Sequence, residues 1–380
     1  MTGKDRIHVV IASGGTGGHF YPSLAIAEAV RDAGDQITML LAGKHVEDQL
    51  NLAADRQLRA LPVPACRLPG KNPLAALVFL WRFSKARRLA RKWAGKEKPD
   101  VILGMGSFAS APTCMGGVAA GVPLVLHEGN AWMGRANRWL SRYARAAATS
   151  LPLVPECPCR CPQIQTGMPL RKAIIEAAAH PQVPPEFWTE SGLVPGNPTV
   201  LVFGGSLGAE AINTLLPQSL PSIGNDAKRL QFIHLTGSPH NDSIADAYRQ
   251  AGARAWVKRH DPNIERAYLA ADIVICRAGA SSICELALFG KPAILIPLPT
   301  AAEDHQTANA RSLAACGAAW MLPQDEAKPE MLADLLGDFL RSPGTWREIG
   351  QRIHEFARPD ATERVVQVLR AHARTPGNRQ

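Results

Sequence analysis

Cysteine is sparse in this chain, eight in 380 residues, and aromatic residues make up only 6%. So few cysteines over such a length do not make a disulfide framework. The tightest group, Cys157, Cys159 and Cys161, lacks the spacing and the second ligand pair that open a zinc site, and reads as an incidental loop feature. No apolar run is long enough to span a bilayer, and no signal peptide precedes the first strand-like segment, so a cytoplasmic protein is expected. No repeat of solenoid period is present. What remains is a folded, globular composition, 46% hydrophobic and 20% charged. The length suits two domains of about 150–200 residues each. The formal charge of +9 points to an acidic partner: phosphate, nucleic acid or an anionic membrane surface.

Short apolar runs at Ile7–Ala12, Ile37–Leu41, Pro99–Leu103 and Val122–Leu126 alternate with helical periodicity, as at Pro22–Ala33. Buried strands separated by helices predict a parallel, doubly wound sheet. Prolines at 152, 155, 158, 162 and 169, and again at 181, 184, 185, 195 and 198, predict a linker and exposed loop over 151–198. A second series follows, with strands at Val200–Phe203, Phe232–Leu235, Ile273–Cys276 and Ala293–Pro297 and a helix from about Ala209. An amphipathic helix at Thr362–Ala373 closes the chain. Two such units place a ligand cleft between two sets of strand C-terminal ends.

The motifs sit at those ends. Gly14-Gly15-Thr16-Gly17-Gly18-His19 joins a strand to a helix, where the backbone can approach a ligand and the helix N-terminus offers N–H groups to an anion. That loop is neither the dinucleotide pattern nor a Walker loop. Gly104-Met105-Gly106-Ser107-Phe108 reads as a second phosphate cradle. His127-Glu128-Gly129-Asn130 sets three polar side chains at a strand end, which is costly without a use. In the second half, Phe203-Gly204-Gly205-Ser206-Leu207-Gly208 forms another anion nest. Arg277-Ala278-Gly279-Ala280-Ser281-Ser282 leads into a helix carrying Glu285, a carboxylate able to accept two hydrogen bonds from a vicinal diol such as ribose. Glu303-Asp304-His305-Gln306-Thr307-Ala308-Asn309 suits sugar hydroxyls, or is a solvated helix start capped by Asp304.

Together these segments, from the first strand to about Asn309, resemble the MurG family of glycosyltransferases. The most specific matches are Gly14 to His19 with Pro22, and Asp304-His305-Gln306 with Asn309-Ala310. The chain departs from the family pattern at Gly129, Met168, Leu207 and Ala278. The resemblance implies an α/β GT-B fold, two Rossmann-like parallel-sheet domains facing a cleft, with the C-terminal helix returning to the N-terminal domain. The expected domains are residues 1–164 with the helix 360–374, binding acceptor and membrane, and residues 165–359, binding the UDP-sugar. It implies inverting transfer of N-acetylglucosamine from UDP-N-acetylglucosamine to lipid I, the undecaprenyl-diphosphate-linked muramyl pentapeptide, giving lipid II for peptidoglycan. The alternative is an enzyme like UDP-N-acetylglucosamine 2-epimerase. By that analogy Glu285 holds the ribose, while Ser206 and the backbone of Ala280, Ser281, Ser282 and Ile283 hold the diphosphate. Arg171 lies near the phosphates and Gln306 meets the sugar, with Asn130, Thr16, Gly17 and Gly18 approaching from the first domain. Gly14, Gly15, Gly104, Gly106 and Ser107 face the acceptor diphosphate.

No Asp-x-Asp is present to bridge Mn or Mg, so no metal and no cofactor are expected; helix N-termini and Arg171 would stabilise the leaving diphosphate. Either His19 or Glu128 is the general base. The stretch 71–98 holds nine basic residues and one acid, Glu97, a local +8. At about 100° per residue, Leu74, Leu77, Val78 and Trp81 share one face, expected to be the core stripe. Leu80 and Phe83 point elsewhere, on the side of Arg87 and Arg91. Trp81, Phe83, Arg87 and Arg91 are the expected contacts to an anionic membrane rather than nucleic acid, placing the protein peripherally on the cytoplasmic face of the inner membrane.

Overall fold

The computed structural model describes residues 6–14, 17–43, 45–66, 73–205, 210–238 and 241–374. The chain divides into two compact units, Met1–Arg171 with Arg358–Gln380, and Lys172–Ala357. Chain order begins β1 (His8–Gly14), α1 (Gly17–Asp32), β2 (Gln36–Ala42), α2 (Val46–Asp55), β3 (Ala60–Pro62), α3 (Pro73–Glu97) and β4 (Val101–Gly104). It continues α4 (Ala111–Ala119), β5 (Leu124–Glu128), α5 (Arg135–Leu140), β6 (Ala146–Thr149) and β7 (Gln163–Gln165). The second unit holds α6 (Lys172–Ala179), α7 (Pro185–Ser191), β8 (Thr199–Phe203), α8 (Glu210–Ile223), β9 (Gln231–Leu235), α9 (Asp242–Gln250) and β10 (Arg254–Lys258). Then come α10 (Ile264–Ala270), β11 (Ile273–Cys276), α11 (Ala280–Phe289), β12 (Ala293–Leu295), α12 (His305–Ala315), β13 (Trp320–Met321), α13 (Pro329–Arg341) and α14 (Pro343–His354). The last helix is α15 (Ala361–His372).

Both sheets are parallel throughout, in the orders β3-β2-β1-β4-β5-β6-β7 and β10-β9-β8-β11-β12-β13. A parallel sheet is covered on both faces, which explains why Val9, Val10, Ile11 and Ala12 are all fully buried despite alternating sides. The two units repeat one device at their central strands. Asp100, just before β4, accepts the His8 N–H at 2.8 Å, and Asp272, just before β11, accepts the Thr199 N–H at 2.9 Å. Each carboxylate also orders the start of a strand whose first N–H would otherwise lack a partner. The final helix α15 buries Val365, Val366, Val368 and Leu369 in the core of the first unit.

The region 151–198, expected to be linker and exposed loop, instead contains β7, α6 and α7. Its prolines sit where a missing N–H does no harm: Pro162 precedes β7, and Pro185 opens α7. Strands β3 and β13 escape a sequence reading because they are short, β6 because it is alanine-rich, and β10 because its apolar run is only Ala255–Val257 between Arg254 and Lys258. Helix α1 starts at Gly17, five residues before the expected Pro22, with that proline inside it. Asp304 stands at the N-cap of α12, yet its side chain makes no capping hydrogen bond and its φ is +55°. No helix among the described residues is long and apolar enough to cross a membrane.

The faces of α3 are the reverse of the expectation. Leu77, Val78 and Trp81, assigned to the core stripe, are 65%, 49% and 62% exposed, as is Leu80 at 59%. Phe83 turns inward, its ring centroid 6.0 Å from that of Trp139, and Phe79, Ala86, Ala90, Trp93 and Ala94 follow it at helical spacing. Lys71 lies outside the described residues, as does the side chain of Leu74. The reason is close packing. A Cβ on Gly116 of α4 would stand 2.5 Å from the Ala90 Cβ and 2.7 Å from the Arg87 carbonyl oxygen. Only the alanine face of α3 admits a backbone at that distance; the bulkier leucine face does not. Gly116→Val should therefore destabilise the protein by about 2 kcal/mol or more, read as a lower urea midpoint, whereas Leu77→Ala on the exposed face should change it by less than about 0.5 kcal/mol.

Candidate active site

In the first unit the three motif loops follow β1, β4 and β5, adjacent in the sheet, so they leave it at one edge. Gly15 and Thr16 lie outside the described residues, and Gly17 and Gly18 open α1. Gly14 ends β1 against β2: a Cβ there would run into the Ala42 carbonyl oxygen. Gly104 is likewise a packing glycine, its added Cβ lying 2.9 Å from Cys114 Sγ and 3.1 Å from Leu126 Cδ2. Gly106 is different. Its φ is +82°, Ser107 follows at +65°, and Ser110 Oγ donates to the Gly106 carbonyl at 2.6 Å to hold the turn. A Cβ on Gly106 would approach His19 Cε1 at 3.3 Å and Asn137 Nδ2 at 3.4 Å. The second loop therefore lies against the His19 ring. His19 is half-buried, and Ser23 Oγ donates to its carbonyl at 2.6 Å while bonding Ser13 Oγ at 2.8 Å.

Glu128 is buried at the end of β5 under four N–H donors. Its Oε1 accepts the Asn130 backbone N–H and Nδ2, both at 3.1 Å, and its Oε2 accepts Gly134 N–H at 3.1 Å and Asn137 Nδ2 at 3.0 Å. These donors occupy the lone-pair directions of both oxygens, so a proton could be taken only by breaking one of them. Asn137 Nδ2 also donates to the His127 carbonyl at 2.9 Å. Next to it His127 is buried, with Nε2 3.2 Å from Ser150 Oγ, and its pKa is pushed down to about 4 by burial and then by the neighbouring His19. Asn137 and Ser150 carried no sequence signal beyond being polar residues within apolar stretches.

In the second unit Gly205 has φ +82°, and Ser206 and Leu207 lie outside the described residues. The turn after β11 is built from buried polar contacts. Arg277 Nη1 donates to the Ile296 and Pro297 carbonyls at 3.1 and 3.2 Å, and Asn309 Nδ2 donates to the Ala278 carbonyl at 3.0 Å. Gly279 is the N-cap of α11, so Ala280, Ser281 and Ser282 supply first-turn N–H groups without intrahelical partners; Ile283 N–H already bonds Gly279. Burial, with the Arg277 guanidinium giving up hydration, lowers that group's pKa. Glu285 is half-buried, and the hydroxyl of the fully buried Tyr268 donates to its Oε2 at 2.8 Å. Tyr268, missed in the sequence, is itself stacked on Phe289 at 5.1 Å. Leu298 N–H donates to Gln306 Oε1 at 3.0 Å, before which Glu303 and Asp304 both take left-handed φ. Arg171 is half-buried at the last residue of the first unit's main segment. The cysteines gather no metal-ligand group: Cys159 and Cys161 Sγ are 3.7 Å apart, and among the described residues no three candidate ligands converge.

Two fully parallel sheets, each with glycine turns and buried polar residues at its strand C-terminal ends, define an α/β protein of two doubly wound domains, and the family matches make it a glycosyltransferase. The glycosyltransferase family 28 N-terminal domain matches residues 9–149 and its C-terminal domain residues 199–365. A UDP-N-acetylglucosamine--N-acetylmuramyl-(pentapeptide) pyrophosphoryl-undecaprenol N-acetylglucosamine transferase of Bordetella petrii is 36% identical over 97% of this chain and 98% of its own. The structure of MurG from Acinetobacter baumannii superposes with a TM-score of 0.77 at 28% identity, covering 96% of this chain and 99% of that one. UDP-GlcNAc 2-epimerase from Neisseria meningitidis shares the fold, with a TM-score of 0.66 at 12% identity over 96% of this chain and 99% of that one. The chain belongs to glycosyltransferase family 28 and, within it, to the MurG family.

The buried histidines make acid stability a test of this geometry. His127 has a folded pKa of about 4 and His234, bonded to Tyr248 Oη at 3.0 Å and Asn213 Oδ1 at 3.1 Å, one of about 3, against 6.5 when unfolded. Both are neutral in either state above pH 6.5, so they leave stability unchanged there. As pH falls below 6.5 the unfolded chain takes up protons that the folded one refuses, and stability is lost down to the folded values. For His127 the loss is on the order of 3 kcal/mol. Urea midpoints should fall between pH 6.5 and 5, and His127→Gln should flatten that slope; an equal slope in the variant refutes the assignment.

Proposed function

We propose that the chain transfers N-acetylglucosamine from UDP-N-acetylglucosamine to the C4 hydroxyl of the muramyl sugar of lipid I, with inversion, forming lipid II. The observation that carries this is the 36% identity, over nearly the whole length of both chains, to a transferase of that name. The second unit is the donor side. Glu285, held by Tyr268, accepts the ribose hydroxyls, and the first-turn amides of α11 at Ala280, Ser281 and Ser282, with Ser206, receive the diphosphate, the Ile283 N–H being already taken by the Gly279 carbonyl. Gln306, its oxygen fixed by Leu298, offers its NH2 end to the sugar, and Arg171 adds charge near the phosphates. Asn130, Thr16, Gly17 and Gly18 serve the donor sugar from the first unit, whose loops at Gly15, Gly106 and Ser107 take the acceptor diphosphate, while Gly14 and Gly104 serve the packing of their strands.

In the reaction the C4 oxygen forms a bond to the anomeric carbon, the bond from that carbon to the UDP diphosphate breaks, and the hydroxyl proton goes to a base. His19 fits that role better than Glu128. Its ring lies along the left-handed turn at Gly106, whereas every oxygen lone pair of Glu128 is engaged. Glu128 then acts as a positioning residue that sets Asn130 and Asn137. Nearby, His127 is held neutral by burial and adds no charge that would oppose proton uptake by His19. Amides aimed at the leaving diphosphate do the electrostatic work.

The acceptor is lipid-anchored, and α3 supplies a surface for meeting it. Leu77, Val78, Leu80 and Trp81 are exposed beside Arg82, Lys85, Arg87, Arg88 and Arg91, with Lys85 Nζ 5.3 Å from the Trp81 ring centre. That mixture suits peripheral attachment to an anionic bilayer, each cation adding about 1 kcal/mol. Phe83 is not part of this surface, being packed on Trp139.

His19→Ala should lower kcat by about 10²-fold or more in UDP release dependent on a lipid I analogue. Glu128→Gln should keep the pH dependence of the base while lowering activity; loss of that pH limb would make Glu128 the base. Release of UDP without acceptor, at the full rate, would refute the transferase reading. Binding to phosphatidylglycerol vesicles should fall with salt and drop further in a Leu77→Glu, Trp81→Glu variant, as measured by co-sedimentation; insensitivity to both refutes the membrane surface.

A further inference from the structure

A cavity of about 600 Å³ opens within the second unit at the strand N-terminal ends, the edge opposite the motif loops. Pro198 precedes β8, Asp272 precedes β11, and Lys291 and Pro292 precede β12; the other wall is α14. Its size is that of a small-molecule site. One side is apolar, with Phe289, Phe339 and Trp346. The other is cationic. Arg347, Gln351 and His354 follow one another along one face of α14. Among the described residues the side chains of Arg347 and Gln351 make no hydrogen bond or ion pair, and both are exposed. Lys291 Nζ donates to the Ala271 carbonyl at 2.6 Å, and His354 Nδ1 bonds the Ala287 carbonyl at 2.9 Å. The single carboxylate, Asp272, is engaged by the Thr199 N–H. The exposed Arg347 and the carbonyl-bonded Lys291 against one occupied carboxylate, beside the half-buried Phe289 ring, suit an anion that carries a flat apolar ring.

We propose that this cavity is an effector site for such a molecule, and that its occupancy is transmitted to Glu285. The route is short and made of observed contacts. Phe289 lines the cavity, its ring lies on Tyr268 at 5.1 Å with only 12° between the planes, and Tyr268 Oη donates to Glu285 Oε2 at 2.8 Å. An occupant that shifts Phe289 therefore shifts the group that orients Glu285. Helix α11 joins the same two places, since Ala280 begins it and Gly290, its left-handed C-cap, lines the cavity. Against Gly290 packs Gly350 of α14, where a Cβ would stand 2.6 Å from the Gly290 carbonyl oxygen, so α14 and the end of α11 move as one. The transmission rests on the donor reading given above; the cavity and its ligand class do not.

The test uses the full chain and anilinonaphthalene sulfonate, an anionic aromatic, as probe. Calorimetry should show saturable binding that Arg347→Glu weakens by about tenfold. In the native chain saturating probe should shift KM for UDP-N-acetylglucosamine by about twofold or more. Arg347→Glu should keep the basal rate and lose that response, and Tyr268→Phe should keep probe binding and lose it. Binding unaltered by Arg347→Glu, or abolished by UDP in competition, overturns the site. Arg347-dependent binding with an unmoved donor KM overturns the effector role. Should Glu285→Gln leave the donor KM unchanged, the donor reading fails, while the Arg347 dependence of probe binding still decides the cavity.

Discussion

Parallel pairing of every strand in both sheets is the constraint on which the other features depend. It demands cover on both faces, which is why the central strands are continuous apolar runs and why a helix lies between all successive strands except β6 and β7. It also sends every strand's C-terminal end to the same edge, so the loops after β1, β4 and β5, and those after β8, β11 and β12, are grouped without further instruction. At the opposite edge Asp100 and Asp272 occupy equivalent places, each accepting the first N–H of the neighbouring central strand. The two units thus repeat a local solution as well as a topology.

Polar groups buried at those loop ends are organised by satisfaction of hydrogen bonds. Glu128 collects four N–H donors, and Asn137 links it to the His127 carbonyl. In the second unit Tyr268 does for Glu285 what Asn137 does for Glu128, and Arg277 and Asn309 tie the turn after β11 to the next strand and helix. Left-handed backbone at Gly106, Ser107, Glu303 and Asp304 marks the same loops. Such conformations cost about 1 kcal/mol or more for a residue with a side chain and persist where surrounding bonds over-determine them.

Helix α3 shows how packing chooses between two apolar stripes on one helix. The stripe of Leu77, Val78 and Trp81 is itself apolar, and helical periodicity read over the first turns alone puts it inside. The alanine stripe is inside because Gly116 brings α4 to within backbone contact of Ala90. What is left outside is a strongly basic surface with large apolar side chains, a combination unusual for water and ordinary at an anionic lipid interface.

The sequence by itself determined the alternation of strands and helices, the glycine turns, and the placing of His19, Glu128, Glu285 and Gln306 at or just beyond strand ends, because periodicity and strand-end polarity are local properties. It could not separate packing glycines such as Gly14 and Gly104 from Gly106, since the difference is whether Ala42, Cys114 or the His19 ring lies beside the missing Cβ. It did not reveal Asn137, Ser150 or Tyr268, which are unremarkable in sequence and acquire meaning only from partners 9, 23 and 17 residues away. It misjudged 151–198, where prolines at permissive positions allow a strand and two helices. The inward face of α3 and the engagement of Glu128 were likewise decided by tertiary structure. Each depends on which atoms come within about 4 Å once the chain has folded, and no periodicity encodes that.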